Sequence, residues 1–355
     1  MRSADSSWVR TIVELAHIGS RPGPVAERAH DAVASLRRLV PFDAHWIALR
    51  NPVTGELATL SAAGHDDATI RYLAGPVAAE VSRRGPREDA PVLHVTALPV
   101  SGATFASAHL SPAGYVDCTL AALTTLDDHT VGFLSLSTGS VDGFADGRLE
   151  ALRPLLPLVA DAVDPIGDLT AIARQVGDAF AAVLITHEGG TAELHGVPGP
   201  GQLTSHSAVI GEAARRLGHP VGSSSFLDPE PAGGGLRVTV LPAPPGTPFG
   251  CAGVVVASPP GDIHGLTTRE LEILGLLIEG WSNAQIAHQL ILAPRTVATH
   301  VEHILAKLGV LSRAHAAVLA ERDGIYIPHG LRAGADAPGS VDLPMRRRRV
   351  RGEGG

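Results

Sequence analysis

Lysine is almost missing from this 355-residue sequence. Lys307 is the only one, and arginine supplies the other side chains that are positively charged at neutral pH. A phosphate-binding P-loop, a pyridoxal Schiff base and the ATP site of a protein kinase each require a lysine in a defined sequence context. Lys307 lies in none of these contexts. The sequence therefore excludes these three classes in their standard form.

Cysteine is also scarce, with Cys118 and Cys251 only. Two cysteines cannot build a disulfide framework or a four-thiolate zinc site, so we expect a reducing, cytoplasmic environment. Both lie in strand patterns and are interpreted as core residues. The N-terminus lacks the apolar core of a signal peptide. No apolar run approaches the ~18 residues that a membrane helix needs, so we expect no membrane partner.

The composition is that of a folded protein with more than one domain. Hydrophobic residues make up 45% of the chain and charged residues 18%. A single hydrophobic core rarely serves 355 residues, so two or three domains are expected. The net charge of −8 means that the whole chain is not a general electrostatic binder of nucleic acid.

Residues 1–163 have the pattern of a mixed α/β domain. Turn-forming residues 51–55 separate two extended runs, and 127–129 separate a second pair. Helices are predicted at 7–18, 25–39, 67–84 and 144–163, the last bent by Pro154 and Pro157. Strands are predicted at 44–50, 56–62, 115–126 and 130–137.

The end of this domain has a strand that contains Gly132, Phe133 and Leu134, followed by Phe144 and by Leu149 at the start of the closing helix. With these residues it resembles the C-terminal half of a GAF domain, in which they fit the last strand, the anchor and the start of the closing helix. The resemblance covers roughly the first 160 residues. It implies a sensory domain that binds a small molecule or dimerises. It transfers no ligand-binding residue, so the ligand is unknown.

Residues 164–260 predict a second, smaller α/β domain, either PAS-like or degenerate GAF-like. Serine and glycine triplets at 223–225 and 233–235 are interpreted as loops, and 258–261 as a linker. Strands predicted at 179–186 and 191–195 form a hairpin around residues 188–190. Two further strands are predicted at 236–241 and 250–257, with a helix at 206–217.

Residues 261–327 predict an all-α domain of four helices with clear start signals. Thr267 and Ser282 each precede a glutamate or glutamine three residues later, at Glu270 and Gln285, which is the capping-box spacing. The first of these caps opens a helix predicted to end at Gly280.

The third predicted helix runs from Pro294 to Leu308 and stops at Gly309. Its apolar residues recur at helical spacing, and its other face carries short side chains such as Ala298 and Ala306. Ser312 caps the fourth helix. Two short helices joined by a tight turn, the second with a small outer face, suit the major groove of DNA.

A set of residues at fixed spacings runs through these four helices: Leu266, Thr267, Arg269, Glu270, Gly280, Ser282, Asn283, Ile286, Ala287, Leu290, Arg295, Thr296, Val297, His300, Val301, Ile304, Lys307, Leu308, Gly309 and Val310. With these residues the region resembles the LuxR-type, or NarL-type, helix-turn-helix. That family implies a four-helix DNA-binding domain whose third helix is the recognition helix and whose fourth often mediates dimerisation.

Three positions depart from the family pattern. Ala293 replaces a capping serine, Ala298 a lysine, and Glu302 a basic residue. Residues 264–327 hold five cations and six acids, a net charge of −1, whereas nucleic-acid binders are usually basic. Residues 328–355, predicted to be a disordered Arg-rich tail, carry +3. That tail is interpreted as solvated, with contact to DNA phosphate as the alternative.

The candidate DNA-binding residues lie on the third helix and at the start of the fourth. For Arg295 and Thr296 the alternative role is helix capping. For Lys307 it is an ion pair along its helix, and for Arg313 it is a solvated charge. The candidates are Arg295, Thr296, Ala298, Thr299, Glu302, His303, Lys307 and Arg313.

Catalytic chemistry finds no support in the sequence. His300 and His303 are three residues apart on one helix, but two ligands without a third do not predict a metal site. No nucleophile–base pair and no paired carboxylates stand out. We therefore expect no enzyme, no catalytic residue, no metal and no cofactor.

Two functions remain open. The first is a transcriptional regulator that binds double-stranded DNA as a homodimer under the control of its sensory half, with a small-molecule ligand in the N-terminal domains. The second is a ligand-binding or protein-interaction protein whose helix-turn-helix has lost DNA binding. The second is favoured by the net negative charge of residues 264–327 and by Ala298 and Glu302, which stand where the family has basic residues.

Overall fold

The computed structural model describes residues 2–84, 92–95, 106–141, 144, 146–197, 199, 203, 207–218, 222–229 and 235–331. The chain divides into two compact units. One contains residues 1–224 and 238–259, and the other contains residues 225–237 and 260–355. Among the described helices, none combines the length and the apolarity needed to cross a lipid bilayer.

The N-terminal region is mixed α/β and precedes four C-terminal helices. In chain order its elements are α1 Arg2–Ser20, α2 Val25–Leu39, β1 Ala44–Arg50, β2 Leu57–Ala63, α3 Asp67–Tyr72, α4 Ala78–Arg84, β3 Val92–His94, β4 Asp117–Thr124, β5 Thr130–Thr138, α5 Asp146–Leu152, α6 Leu156–Val163, α7 Gly167–Gln175, β6 Ala181–Thr186, β7 Thr191–Glu193, α8 Ala208–Leu217, β8 Ser224–Asp228, β9 Leu236–Pro242 and β10 Cys251–Ser258.

The first sheet is antiparallel, with strand order β2-β1-β5-β4-β3. Alternate side chains of its strands point to opposite faces, so one strand contributes side chains to two hydrophobic cores. Ile47 packs with Leu15 of α1 and Leu36 of α2 in one core. Trp46, its chain neighbour, packs with Leu73 in the other. The sheet is therefore covered by helical segments on both faces.

The second sheet has strand order β7-β6-β10-β9-β8. The predicted hairpin of β6 and β7 is present, with Val183 opposite Glu193. Leu169 of α7 packs with Leu184 and Val254 in a separate core. The N-terminal region thus contains two sheets of antiparallel strands, each packed against helices.

Proline breaks two of the predicted helices. The helix expected over 144–163 is divided into α5, a 3-10 turn at Arg153–Leu155 and α6. The helix expected over 67–84 contains a π-helical turn at Leu73–Val77 that includes Pro76. Because proline lacks an amide hydrogen and crowds the preceding turn, the regular hydrogen-bond ladder cannot pass through either place.

Two strands were not predicted. β3 is three residues long, and β8 begins inside the serine triplet interpreted as a loop. β8 lies at the edge of its sheet. Tertiary pairing, rather than intrinsic preference, determines such short edge strands.

Both cysteines are buried and unpaired, as the strand patterns predicted. Burial raises the pKa of the Cys118 thiol to about 11, and it does the same for Cys251. A thiol that resists ionisation is a poor nucleophile. These residues are therefore part of the core.

The C-terminal region consists of α9 Thr268–Ile278, α10 Asn283–Leu290, α11 Pro294–Leu308 and α12 Arg313–Asp323, close to the predicted bounds. Beyond them, His329–Leu331 form a 3-10 turn and Leu331 is buried. The prediction of a disordered tail from residue 328 is therefore wrong for 328–331. Residues 332–355 of that tail lie outside the described residues.

Candidate nucleic-acid interface

Side-chain caps set the starts of the first two C-terminal helices. Thr267 accepts from the Glu270 amide, and Glu270 accepts in return from the Thr267 amide at 2.8 Å. Ser282 and Gln285 form the same reciprocal pair, also with a 2.8 Å return bond. Both capping boxes are confirmed. These local bonds fix where α9 and α10 begin.

A tight connection links α10 to α11. Ile291 adopts a left-handed conformation with φ 53°, and Ala293 is the N-cap of α11 without a side-chain bond. Pro294 takes the first helical position, where its missing amide hydrogen is harmless. Gly309, with φ 66°, ends the helix as predicted. The pair α10–α11 is thus a helix-turn-helix.

Helix α11 has one buried and one exposed face. Val297 and Ile304 are buried, while Val301 and Leu308 are half-buried beside them. The candidates on the opposite face are exposed except for Ala298, which is half-buried. The exposed ones are Arg295, Thr296, Thr299, Glu302 and His303.

Lys307 is directed inward, to α9. Its Nζ donates to Glu270 Oε2 at 2.6 Å and to the Gly265 carbonyl at 2.9 Å. Burial acts to raise the pKa of Glu270, but the bonds from Lys307 and Thr267 hold that pKa below its usual value. The expected alternative, an ion pair along its own helix, is wrong because the partner comes from another helix.

Arg313 also bonds within the domain. Its guanidinium donates to the Trp281 carbonyl in the turn before α10. The alternative of a merely solvated charge therefore does not hold. Arg313 ties the start of α12 to that turn.

Most of the other positive charge in this domain is likewise occupied. Arg269 donates to Glu272 at 2.7 Å and to the Leu290 carbonyl at 3.2 Å, and Arg322 pairs with Asp323. Residues 264–327 are all described, and among their cations only Arg295 has a side chain without a hydrogen-bond or ion-pair partner. The free positive charge lies at the start of α11.

A segment that crosses the helices after α12 was not predicted. We call residues 324–331 the C-terminal strap. Ile325, Tyr326 and Ile327 are buried, and the Ile327 amide donates to the Leu271 carbonyl of α9 at 3.2 Å. The apolar run at 325–327 was a signal, but nothing local indicates which helix it covers.

A second cluster of polar side chains lies in the N-terminal unit, around a cavity. A cavity of about 260 Å³ is lined by Asp127, His129, Asp164, Arg174 and His195 among others. Arg174 pairs with Asp127 at 2.9 Å, and burial raises the pKa of Asp164 to about 6. Among the described residues, no three metal-ligating side chains converge on one point. The helix-turn-helix is therefore the stronger candidate site.

Comparison with known proteins agrees with this assignment. The model of the family "Bacterial regulatory proteins, luxR family" matches residues 264–320. The transcriptional regulatory protein LiaR of Bacillus subtilis is 50% identical over 58 residues, which are 16% of this chain and 28% of LiaR. The transcriptional activator DevR/DosR of Mycobacterium tuberculosis is also 50% identical over 58 residues, 16% of this chain and 27% of that protein.

The chain covers only about a quarter of the length of each of these two relatives. Escherichia coli SdiA aligns over 90% of this chain and 98% of its own, but at 16% identity and a TM-score of 0.31, too low to establish a shared fold. The chain contains a LuxR-type helix-turn-helix domain in its C-terminal region.

Proposed function

We propose that this chain is a DNA-binding transcriptional regulator whose α11 enters the major groove of double-stranded DNA. The observation that carries the proposal is the exposed face of α11, where an unpartnered Arg295 precedes short side chains on a helix of LuxR type. Short side chains let a helix backbone approach base pairs closely, and an arginine at its start can bind phosphate or guanine.

The candidate residues other than His303 then have defined roles. Arg295 and Thr296 contact phosphate or base edges, and Ala298 and Thr299 allow close approach. Glu302 accepts from cytosine N4, the base donor that suits a carboxylate. His303 lies beside Glu302 on the same exposed face. Lys307 and Arg313, which bond within the domain, hold α11 and α12 in position.

A homodimer is part of the proposal. Leu311, in the turn before α12, and Val318, on α12, are apolar side chains that are 98% and 64% exposed. Pairing of two copies through these side chains would bury apolar area that each monomer leaves in water. A two-fold dimer places its two recognition helices in major grooves about 34 Å apart.

The N-terminal region is proposed to be the sensory half, in the cytoplasm and without enzymatic activity. The sequence resemblance supports a GAF-like domain over 1–163, and a PAS-like or degenerate GAF-like domain over 164–260 follows from its pattern of strands. A small molecule bound there would alter the dimer and thus the DNA-binding domain over 261–327.

Selection of bound duplexes from a random pool tests the regulator proposal. At about 0.1 M salt the full chain is expected to enrich an inverted repeat with half-sites about one helical turn apart. Arg295→Gln should weaken binding to that sequence by about 10- to 100-fold, since one bidentate base contact contributes about 1–3 kcal/mol. Arg71→Gln, an exposed arginine in the N-terminal unit, removes the same charge and should leave binding unchanged. Equal binding to all sequences would refute a specific regulator.

The second candidate is a protein whose helix-turn-helix no longer binds DNA. It is favoured by the net charge of −1 over 264–327 and by the intramolecular partners of all but one cation there.

Replacing Ala298 and Glu302 together by lysine distinguishes the two candidates. For a regulator, the wild type binds DNA, and the double variant binds every duplex more tightly, with a steeper salt dependence because up to about two further phosphates are neutralised. Fluorescence anisotropy against potassium chloride measures both. A wild type that binds no duplex, together with a variant that does, would establish the second candidate.

A further inference from the structure

Strand β8 belongs to the same compact unit as the DNA-binding domain, although the sequence pattern assigns residues 225–237 to the second α/β domain. The Leu227 amide of β8 donates to the Tyr326 carbonyl of the C-terminal strap at 2.8 Å. The guanidinium of Arg237, in β9, donates to the carbonyl of Asp323 at the end of α12. These bonds join β8 and the first residues of β9 to the four-helix domain.

A cavity of about 380 Å³ lies where β8 meets that domain. Its wall is formed by β8, the segment that precedes α9, α9 itself and the C-terminal strap. The aliphatic side chains that line it include Leu227, Ile263, Leu266, Leu271 and Ile327. All of these except Ile263, which is half-buried, are at most 6% exposed. The wall is therefore apolar and shielded from water.

Two polar side chains, Asp228 and Thr268, also line the cavity. An ionised carboxylate only accepts hydrogen bonds, and its several acceptor positions leave room for a ligand beside a partner within the chain. An apolar molecule that displaced water from Asp228 without replacing its hydrogen bonds would destabilise that carboxylate. A ligand suited to this cavity therefore carries a hydrogen-bond donor.

The size and the charge of the cavity restrict the ligand further. Ligand sites in proteins measure about 300–1,000 Å³ and combine a mainly apolar lining with a few placed polar groups. Among the described residues that line this cavity, none is cationic. A phosphate or carboxylate group would meet Asp228 and find no positive partner, so nucleotides and organic acids are disfavoured.

We propose that this cavity binds a small, uncharged and mainly apolar molecule that carries an N–H or O–H donor, and that the bound molecule holds β8 against α9 and the C-terminal strap. Because such a molecule touches both sides of the cavity, it binds best while β8 and α9 lie together, and it stabilises that arrangement. The site is separate from the ligand site proposed for the N-terminal domains. Its occupation does not require the chain to bind DNA.

N-phenyl-1-naphthylamine, an uncharged aromatic amine with one N–H, is the probe. Its fluorescence rises in apolar surroundings, so titration into the full chain is expected to show saturable binding. Ile263→Trp should abolish this binding, because an indole at the half-buried rim occupies the cavity. Ile172→Trp, at an exposed position on α7, is the matched control and should bind as the wild type does.

Two results of the titration would overturn the site. Equal binding by Ile263→Trp and the wild type would show that the probe binds elsewhere. Probe affinity that falls as the protein concentration rises would show that a second copy of the chain covers the cavity instead.

Competition in the wild type tests the chemistry of the ligand. In 1-benzylnaphthalene a methylene group replaces the N–H of the probe. Since a hydrogen bond to a charged group stabilises more than a neutral one, we expect this competitor to bind about tenfold more weakly than the amine. Equal affinities would overturn the role given to Asp228, and with it the proposed class of ligand.

Hydrogen exchange shows whether the ligand holds β8 in place. With the probe at about 100 times its dissociation constant, exchange through openings that release it should slow by about 100-fold. We expect this at the amides of Leu227 and Ile327, which bond to the carbonyls of Tyr326 and Leu271. The amides of α7 should be unaffected. Probe binding without added protection of Leu227 and Ile327 would overturn the proposal, whereas a chain that binds the probe but no DNA would refute the proposed function alone.

Discussion

Gly275→Ala is expected to destabilise the C-terminal domain by about 2–3 kcal/mol, although alanine is normally the better helix former. In an open helix the same change stabilises by about 0.5–1 kcal/mol. Here a Cβ on Gly275 would lie 2.0 Å from the Ile327 carbonyl oxygen and 3.1 Å from its carbon. Both are backbone atoms and cannot rotate away, so the strap must move from α9. Overpacking of this kind costs about 1–3 kcal/mol, and the displaced strap also exposes buried apolar side chains.

Hydrogen exchange of the full chain measures this effect locally. The amides of α9 and of 325–327 should exchange faster in Gly275→Ala. Gly211→Ala is the matched control, because Gly211 lies inside α8 and a Cβ there meets nothing within 4 Å. The control should exchange at the same rate or more slowly in its own helix. Unchanged protection of 325–327 in the Gly275 variant would show that the strap is not held against α9.

Glu270→Ala is expected to destabilise the same domain by about 2–4 kcal/mol. The Glu270 side chain is 4% exposed, and its Oε2 accepts from Lys307 and from the amide and hydroxyl of Thr267. Removing it takes this acceptor away from two Thr267 donors and from the partly buried Lys307 ammonium, which keeps its bond to the Gly265 carbonyl. Breaking a buried pair costs about 3–5 kcal/mol, and the 33% exposure of Lys307 reduces that figure.

Lowering the pH should reduce the stability of the wild-type C-terminal domain, because the Glu270 carboxylate becomes protonated. The folded state lowers the pKa of Glu270, so its contribution is complete above its unfolded pKa, about 4.3, and is lost as the pH falls through the folded value. Hydrogen exchange of α9 and α11 from pH 6 down to pH 3 should show this loss in the wild type and a flatter profile in Glu270→Ala.

Glu302→Gln serves as the control for that series. Glu302 is exposed on α11 and should change stability by less than about 0.5 kcal/mol. Equal losses of stability in Glu270→Ala and Glu302→Gln would mean that the buried ion pair stabilises the domain no more than an exposed glutamate does.

Local features of this chain could be predicted to the residue. The two capping boxes, the glycine stop at Gly309 and the hairpin of β6 and β7 were all expected, and all are present. Each depends on side chain and backbone groups that are a few residues apart. Their geometry is set before the chain folds further.

Elements that depend on distant partners escaped prediction. β8 contains serines typical of loops, and β3 has only three residues, yet both pair within sheets. Only the neighbouring strand makes such segments extended, so no local pattern indicates them.

The sequence by itself determined that the C-terminal region is a helix-turn-helix and how many charged residues that region contains. Only the tertiary structure decided what those charges do. Lys307 meets Glu270 across 37 residues of chain, Arg313 meets Trp281 across 32, and the strap covers α9. Helix boundaries follow from short-range hydrogen bonds, which the sequence encodes directly. The partner of a charge follows from packing, which brings together residues whose separation in sequence carries no sign of their contact.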